Sequence, residues 1–344
     1  MRNYLNIKML ILVIGVVLSY SCDRSPSIEW EKEISWAVLE DASDIKQTND
    51  DGYIILGTSN GSKPTLMKIN STGNTQWVKI FHDYIDKSPK AIQQTNDGGY
   101  IVVGYHNYGL NQNFWVSKLD KTGDVVWSKE YDDGANREEV IVIECMEDGS
   151  YIIAGERINY IDNNFSSDYW IAKIDNQGEL SWSKVLGGSR IDAPMMMNKT
   201  KNGNLIIEGK TYSEDGDVPG EMLEKQIETY DIWSVEINDN GEVINSQRKE
   251  SYYFQEKNIT LTDDRTYLLA GEKWIGDTDG SVNLLLEKRD INLNLIWSKI
   301  IGGPDKDESL AIQQTSDGGY IVLATVFDDD KSEIKTWLLK LGSE

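Results

Sequence analysis

His82 and His106 are the chain's entire supply of imidazole, too few for a multi-His metal site and a thin basis for His-dependent acid–base chemistry. The 344 residues hold no G-x-S-x-G elbow, no P-loop and no H-E-x-x-H. Asp215-Gly-Asp217 and Asp277-Thr-Asp279-Gly280 share fragments with calcium loops but lack the later bidentate acid, so Asp215 and Asp217 make only a weak calcium candidate and no cofactor is expected. Acids gather just ahead of one recurring segment: Glu40 and Asp41, Glu138 and Glu139, Asp192, and Asp307 and Glu308. A ring of such carboxylates could hold a cation or steer a basic ligand. Aromatic rings fall between recurring segments, at Tyr108, Tyr160, Phe165, Tyr212, Tyr230, Trp274 and Phe327. Exposed there, they would serve as platforms for sugars or peptide side chains. The balance of 34 bases against 57 acids, net −23, excludes a general binder of nucleic acid or anionic lipid. In so acidic a chain, paired carboxylates say nothing about glycosidase chemistry.

What must position these groups is a repeat. IQQTNDGGYIVVGY (92–105) returns as IKQTNDDGYIILGT (45–58) and IQQTSDGGYIVLAT (312–325), with weaker copies at 143–156, 197–210 and 259–272. A second block follows each, as in FWVSKLDKTGDVVWSK (114–129) and YWIAKIDNQGELSWSK (169–184). Alternating strands flank Asp97-Gly98 in the first block and Asp120-Lys-Thr-Gly123 in the second, so each block reads as a hairpin. Four strands, a to d, in about 50 residues is the content of a propeller blade. Residues 28–34 (IEWEKEI) read as a lone d strand, and 308–341 supply a, b and c strands without a d. The reading is therefore an all-β, six-bladed β-propeller over 28–341, with the N-terminal strand completing the last blade. A linear solenoid is the alternative, but it has no use for complementary ends. Nine of the 11 tryptophans keep the repeat register: Trp30, Trp77, Trp127, Trp182 and Trp297 on d strands, and Trp115, Trp170, Trp233 and Trp337 on c strands. They are expected between blades. Repeat four has Asn245 in place of the d-strand Trp. Repeat five has Arg265 and Leu293 where its two turns should carry glycine.

Residues 1–21 read as an export signal: Arg2 and Lys8 are followed by ten apolar residues, Met9 to Leu18, too short to span a bilayer. Removing these two cations leaves 32 bases against 57 acids, or −25. Leu18-Ser-Tyr-Ser-Cys22 resembles a bacterial lipobox, which implies a lipid on Cys22, a short tether over 22–27, and an outer-membrane lipoprotein on the periplasmic or surface side. Cys145 then has no disulfide partner and reads as a small strand residue.

Two further resemblances follow. LDKTGDVVW (119–127) and IDNQGELSW (174–182) resemble the tryptophan-docking motif of quinoprotein propellers and related outer-membrane assembly scaffolds. The match covers only the c–d hairpin and implies no quinone. Over nearly the whole chain after the leader, the array QQTxDGGYIVxG, then DxWxxKLDxxGxxxWxK, then GG is similar to propeller-type repeats of secreted and surface proteins of Bacteroidetes. This resemblance implies fold and location rather than activity.

In such a ring the a–b and c–d turns share one face, and the b–c connections share the other with the d–a connections. The b–c connections vary most, and 210–231 is the longest, so they are the expected binding face. Gln47, Gln94, Gln314, Lys199 and Cys145 are expected to line the central channel. The functional expectation is a non-enzymatic, lipid-anchored binding module for a protein or glycan, with Tyr108, Tyr160, Tyr212, Tyr230, Trp274, Glu138, Asp192 and Asp307 on its ligand face. A polysaccharide hydrolase or lyase and a structural subunit of an envelope complex are the alternatives.

Overall fold

The Asp-Gly turns close through one recurring set of contacts. In the computed structural model Gly98 takes φ +81°, and Asp97 Oδ1 accepts hydrogen bonds from Thr95 Oγ1, Gly99 N (3.0 Å) and Lys118 Nζ (3.0 Å). Lys118 comes from the c strand of the same blade and is buried, its Nζ also donating to Leu119 O. Lys68–Asp50, Lys173–Asp148, Lys288–Asp264 and Lys340–Asp317 repeat the pair. The repeat thus keeps its Asp in the first block and its Lys in the second because the two meet. Blade four replaces both, with Asn202 and Glu236.

Residues 25–344 are described, apart from 36–37, 60–62, 85–86, 109–110, 133–136, 162–163, 223–229, 250–257, 263, 275–281, 303–305 and 329–332. Cys22, Trp36 and 277–280 lie outside them. The described residues contain 24 strands and no helix. β1 (Ile28–Ile34) opens the chain. Blade one is β2 (Asp41–Gln47), β3 (Tyr53–Ser59), β4 (Lys63–Ile69) and β5 (Thr75–Ile80). Blade two is β6 (Lys87–Gln94), β7 (Tyr100–Tyr108), β8 (Asn111–Leu119) and β9 (Val125–Tyr131). Blade three is β10 (Arg137–Cys145), β11 (Tyr151–Ile161), β12 (Asn164–Ile174) and β13 (Leu180–Leu186). Blade four is β14 (Asp192–Lys199), β15 (Leu205–Thr211), β16 (Asp231–Ile237) and β17 (Val243–Lys249). Blade five is β18 (Asn258–Leu261), β19 (Tyr267–Trp274), β20 (Val282–Arg289) and β21 (Leu295–Ile301). Blade six is β22 (Lys306–Gln314), β23 (Tyr320–Asp328), β24 (Glu333–Leu341) and, as expected, β1, which pairs antiparallel with β24 from Ile28↔Leu341 to Ile34↔Thr336. The chain is a six-bladed β-propeller, and pairing β1 with β24 removes the edge that β24 would otherwise expose.

Four of the five d-strand tryptophans lie on the c–d turn of the next blade; Trp297 precedes blade six, whose c and d strands are not joined by a turn. Trp30 lies against Gly73, Trp77 against Gly123, Trp127 against Gly178 and Trp182 against Gly241. All four glycines have positive φ, and a Cβ at Gly178 would stand 2.9 Å from the Trp127 ring. Trp127 Nε1 adds a 3.0 Å hydrogen bond to Asn176 O, and Trp182 Nε1 one of 3.2 Å to Asp239 O. This contact explains the two odd residues of repeats four and five together. Asn245 presents no ring, so Leu293 is accepted at φ +67° and packs with Met196, Tyr267 and Leu269 in the space a ring would take. Asn245→Trp alone should therefore destabilise the protein, and Leu293→Gly alone should open a cavity. The double variant should recover stability, with a coupling of about 1–3 kcal/mol. Denaturant unfolding of all four proteins measures this, and simple additivity would contradict it.

Five of the inner strands bulge near mid-strand, at Ser43, Lys90, Ile141, Met195 and Leu310. The bulge presses the strand onto its neighbour: a Cβ at Gly104 would stand 2.1 Å from Ser88 O. Hence the glycine that ends YIVVG.

The turn carboxylates set the acid limit of the fold. Burial raises the carboxyls of Asp97, Asp264 and Asp317, but hydrogen bonds from the neighbouring threonine and the buried lysine outweigh it and hold all three at about 2. An unfolded Asp titrates near ~4. Stability from a depressed carboxyl is complete above the unfolded value and is lost as pH falls through the folded one. The expected result is a Tm that drops steadily between about pH 4 and pH 2. A flat Tm over that range in calorimetry would contradict the role given to these pairs.

Candidate functional site

Ile45, Ile92, Ile143, Met197 and Ile312 occupy one position of the inner strands and are buried between blades. Side chains alternate along a strand, so the residue after each faces the ring axis, while the bulge before it brings the residue two positions earlier to the axis as well. One residue further on stand Lys46, Gln93, Glu144, Asn198, Thr260 and Gln313, one from each blade. The bulged Ser43, Lys90, Ile141, Met195 and Leu310 form a tier nearer the b–c face. Together these two tiers line a central channel of about 760 Å³ to which all six inner strands contribute. Its walls differ. Ile141, Met195 and Leu310 make an apolar side, and Ser43, Lys46 and Lys90 a polar one. Lys46 pairs with Asp44 (2.9 Å), Lys90 with Glu139 (3.3 Å), and Gln93 Nε2 donates to Glu144 Oε2 (3.3 Å). Burial pushes the Glu144 carboxyl up, against the pull of Gln93, Lys199 and Lys46. Burial also raises Asp41, with Lys90 opposing and Glu308 adding to the shift, so these three charges neighbour one another at the mouth.

The expected lining was off by one residue. Gln47, Gln94, Cys145 and Lys199 do not face the cavity; they stitch blades together. Gln47 Oε1 accepts from Ser316 N (2.7 Å), Gln94 Oε1 from Asn49 N (2.8 Å), and Lys199 Nζ donates to Cys145 O (2.8 Å). Gln314 holds the same strand position, opposite Tyr320. The Cys145 thiol, raised to about 12 by burial and then by Glu144, is unsuited to nucleophilic work at neutral pH. The buried Ile ahead of these positions carried the signal: the residue directly after it, not the residue after next, must face the axis.

The acids divide in the same way. Asp192 and Asp307 are 0% and 1% exposed and are not presented on a ligand face. Asp192 accepts from Gly188 N (2.8 Å), Ser213 Oγ (2.8 Å) and Thr211 Oγ1, and so fastens the d–a connection to blade four. Asp307 packs against Gly302 in the equivalent connection of blades five and six. Asp215 Oδ1 accepts from Ser189 N (2.7 Å) and Asp217 Oδ2 from Gly187 N (3.2 Å), so the suspected calcium pair caps the Gly187-Gly188 turn. Among the described residues no group of three or more metal-type side chains converges. Beside this turn, burial and then the charges of Asp192 and Asp217 lift Asp168 to about 6 despite Arg157.

The connection 210–231 is not a free flap over its described part. Arg248, 4% exposed, donates to Asp231 Oδ2 (2.9 Å), Pro219 O (2.9 Å) and Ser213 O, pinning both ends. Tyr230 is buried, with Lys210 Nζ 4.8 Å over its ring, and Tyr212 packs on it at 6.1 Å. Neither ring of this pair is the open platform expected of it. The other b–c connections are largely longer ladders: pairing runs out to Tyr108↔Asn111, Ile161↔Asn164 and Trp274↔Val282. Tyr108 and Trp274 thus hold end rungs, and Tyr160 the last rung but one, of hairpins that rise on the b–c side, and Glu138 pairs with Arg157 inside the β10–β11 ladder. Phe165 is exposed there. Parallel contacts Arg137↔Gln112, Ser167↔Ile191 and Val282↔Lys306 join neighbouring blades on this face. His106 Nδ1 lies 2.9 Å from Glu130 Oε1, a carboxylate it shares with Lys87.

The fold and channel define a six-bladed propeller. No protein-family model matches the chain, and no curated protein matches it. Solved structures do. A luciferin-regenerating enzyme superposes with TM-score 0.54 at 9% identity, over 92% of this chain and 97% of that one. A gluconolactonase from Xanthomonas campestris gives 0.52 at 8%, over 93% and 94%. A subtype N10 neuraminidase-like protein of a little yellow-shouldered bat isolate gives 0.50 at 11%, over 92% and 100%. At these identities the likeness is one of fold alone.

Proposed function

We propose that the chain is an exported, lipid-anchored binding module that takes a protein or glycan ligand on its b–c face and into the channel mouth. The central channel supports this reading most. It is a cavity of about 760 Å³, within the usual size range of ligand sites, with one apolar wall and one wall of paired charges. The hairpins of blades two and three, carrying Tyr108, Tyr160 and Phe165, extend the same face. Glycan-array and pull-down screens should find a ligand whose capture falls when the β7–β8 and β11–β12 hairpins are cut back to two-residue turns. Full capture by the shortened protein would refute the reading.

Catalysis on this scaffold is the competing reading, favoured by the fold shared with a gluconolactonase. Turnover of a lactone or a polysaccharide, abolished by Glu144→Gln, would support it over binding alone.

A further inference from the structure

We propose that the face carrying the a–b and c–d turns lies against a net-neutral, zwitterionic lipid surface, so that the channel mouth with its b–c hairpins points away from it. Resting on the lipid anchor proposed above, this follows first from where the chain enters the ring. β1 starts at Ile28 opposite Leu341, and Gly342 N donates to Ser27 O (2.9 Å). Leu341 O in turn abuts Gly319 of the a–b turn of blade six, where a Cβ would stand 2.3 Å from it. Ser27 is therefore on the short-turn face. Cys22 lies five residues before it. Fully extended, that tether reaches about 17 Å. The nine-residue strand β24 is about 30 Å long at the usual rise per residue. A lipid on Cys22 cannot reach past the ring to the b–c face.

A second observation separates lying flat from hanging by one edge. Of the six large apolar side chains most exposed to solvent, five lie at the short-turn ends of the outer strands or in the c–d turns themselves; the sixth, Ile300, is near the far end of β21. Val126 is 61% exposed, with Leu180, Ile244, Ile291 and Leu295 also exposed, and they cover blades two to five. Anchored at blade six, the ring would bring this apolar rim to the surface on its far side, adding to the hold of the acyl chain. The acids of the same turns exclude an anionic surface. Asp120 and Asp175 accept hydrogen bonds from the amides of their own turns, in a chain of net charge −23.

The test uses the acylated full chain on phosphatidylcholine vesicles carrying a nitroxide-labelled lipid. A fluorophore is attached at Val126→Cys or at Phe165→Cys, each in a Cys145→Ser background. The expected result is strong quenching at position 126 and none above background at 165. Equal quenching, or stronger quenching at 165, would overturn the orientation while leaving the anchor standing. Loss of vesicle binding in Cys22→Ala supports the anchor; a protein that never binds vesicles overturns anchor and orientation together. Hydrogen–deuterium exchange on the unlabelled, unsubstituted chain reads the same point without variants. Vesicles should protect the c–d turns at 121–126 and 177–181 and leave 158–165 unchanged, and the reverse pattern overturns the proposal. Binding confined to anionic vesicles would overturn the assignment to a neutral surface.

Discussion

Deleting residues 25–34 should abolish cooperative folding rather than trim a strand. β1 supplies the outer strand of blade six. It buries Ile34 against a core that includes Leu39, Leu323 and Leu338, and it sets Trp30 edge-on to Tyr53 of blade one at 6.0 Å. Truncating a buried Ile costs about 2–5 kcal/mol and a Trp about 3–5. Against a total stability of about 5–15 kcal/mol, losing both along with a ladder of six pairs leaves little. The loss also bares β24 as a nine-residue open edge, which invites association. Size-exclusion chromatography and a thermal melt should show aggregation and no sharp transition. A monomer melting within a few degrees of the parent would mean that the ring holds without its closure. Trp30→Ala should fall between the two.

Arg248→Ala should cost about 3–5 kcal/mol, the penalty for stranding a buried charge. Asp231 is fully buried and would lose its guanidinium, while Ser213 O and Pro219 O lose a donor. Arg248→Lys should rescue only part of this, because an ammonium cannot span three acceptors arranged for a planar fork. Denaturant unfolding gives the magnitude. Limited proteolysis gives the location, with new cuts expected in 212–230. A change below about 1 kcal/mol would show that the long connection of blade four is not held by this residue.

Most of the architecture was legible because the repeat writes it six times. The Asp-Gly turns, the complementary ends and the tryptophan register each required one geometry, and β1 pairing with β24 is the clearest case. What escaped was which way a residue points. The glutamines of IQQT looked like a wet lining because they are polar. Yet Ile45 and Ile92 beside them are core residues, and period two sends Lys46 and Gln93, not Gln47 and Gln94, to the axis. Asp192 failed for the same reason. An acid ahead of an inner strand was read as a mouth residue, but its carboxylate serves the Gly188 amide behind the strand. The link between Asn245 and Leu293 was beyond the sequence, since it joins residues 48 apart through a ring that is missing. Likewise the connection 210–231 read simply as the longest loop of the binding face because its clamp, Arg248, comes after it in a different strand.

The central claim is that the channel and its b–c mouth take the ligand, and filling the channel tests it most directly. Met195 stands at the bulge of β14, lines the cavity and is only half-buried, so Met195→Trp adds an indole to open space rather than to packed core. Titration of the captured ligand against parent and variant, with matching melting curves as the control for folding, should show affinity weakened by at least about tenfold, or 1.4 kcal/mol. Unchanged affinity in a properly folded Met195→Trp protein would place the ligand elsewhere and contradict the account.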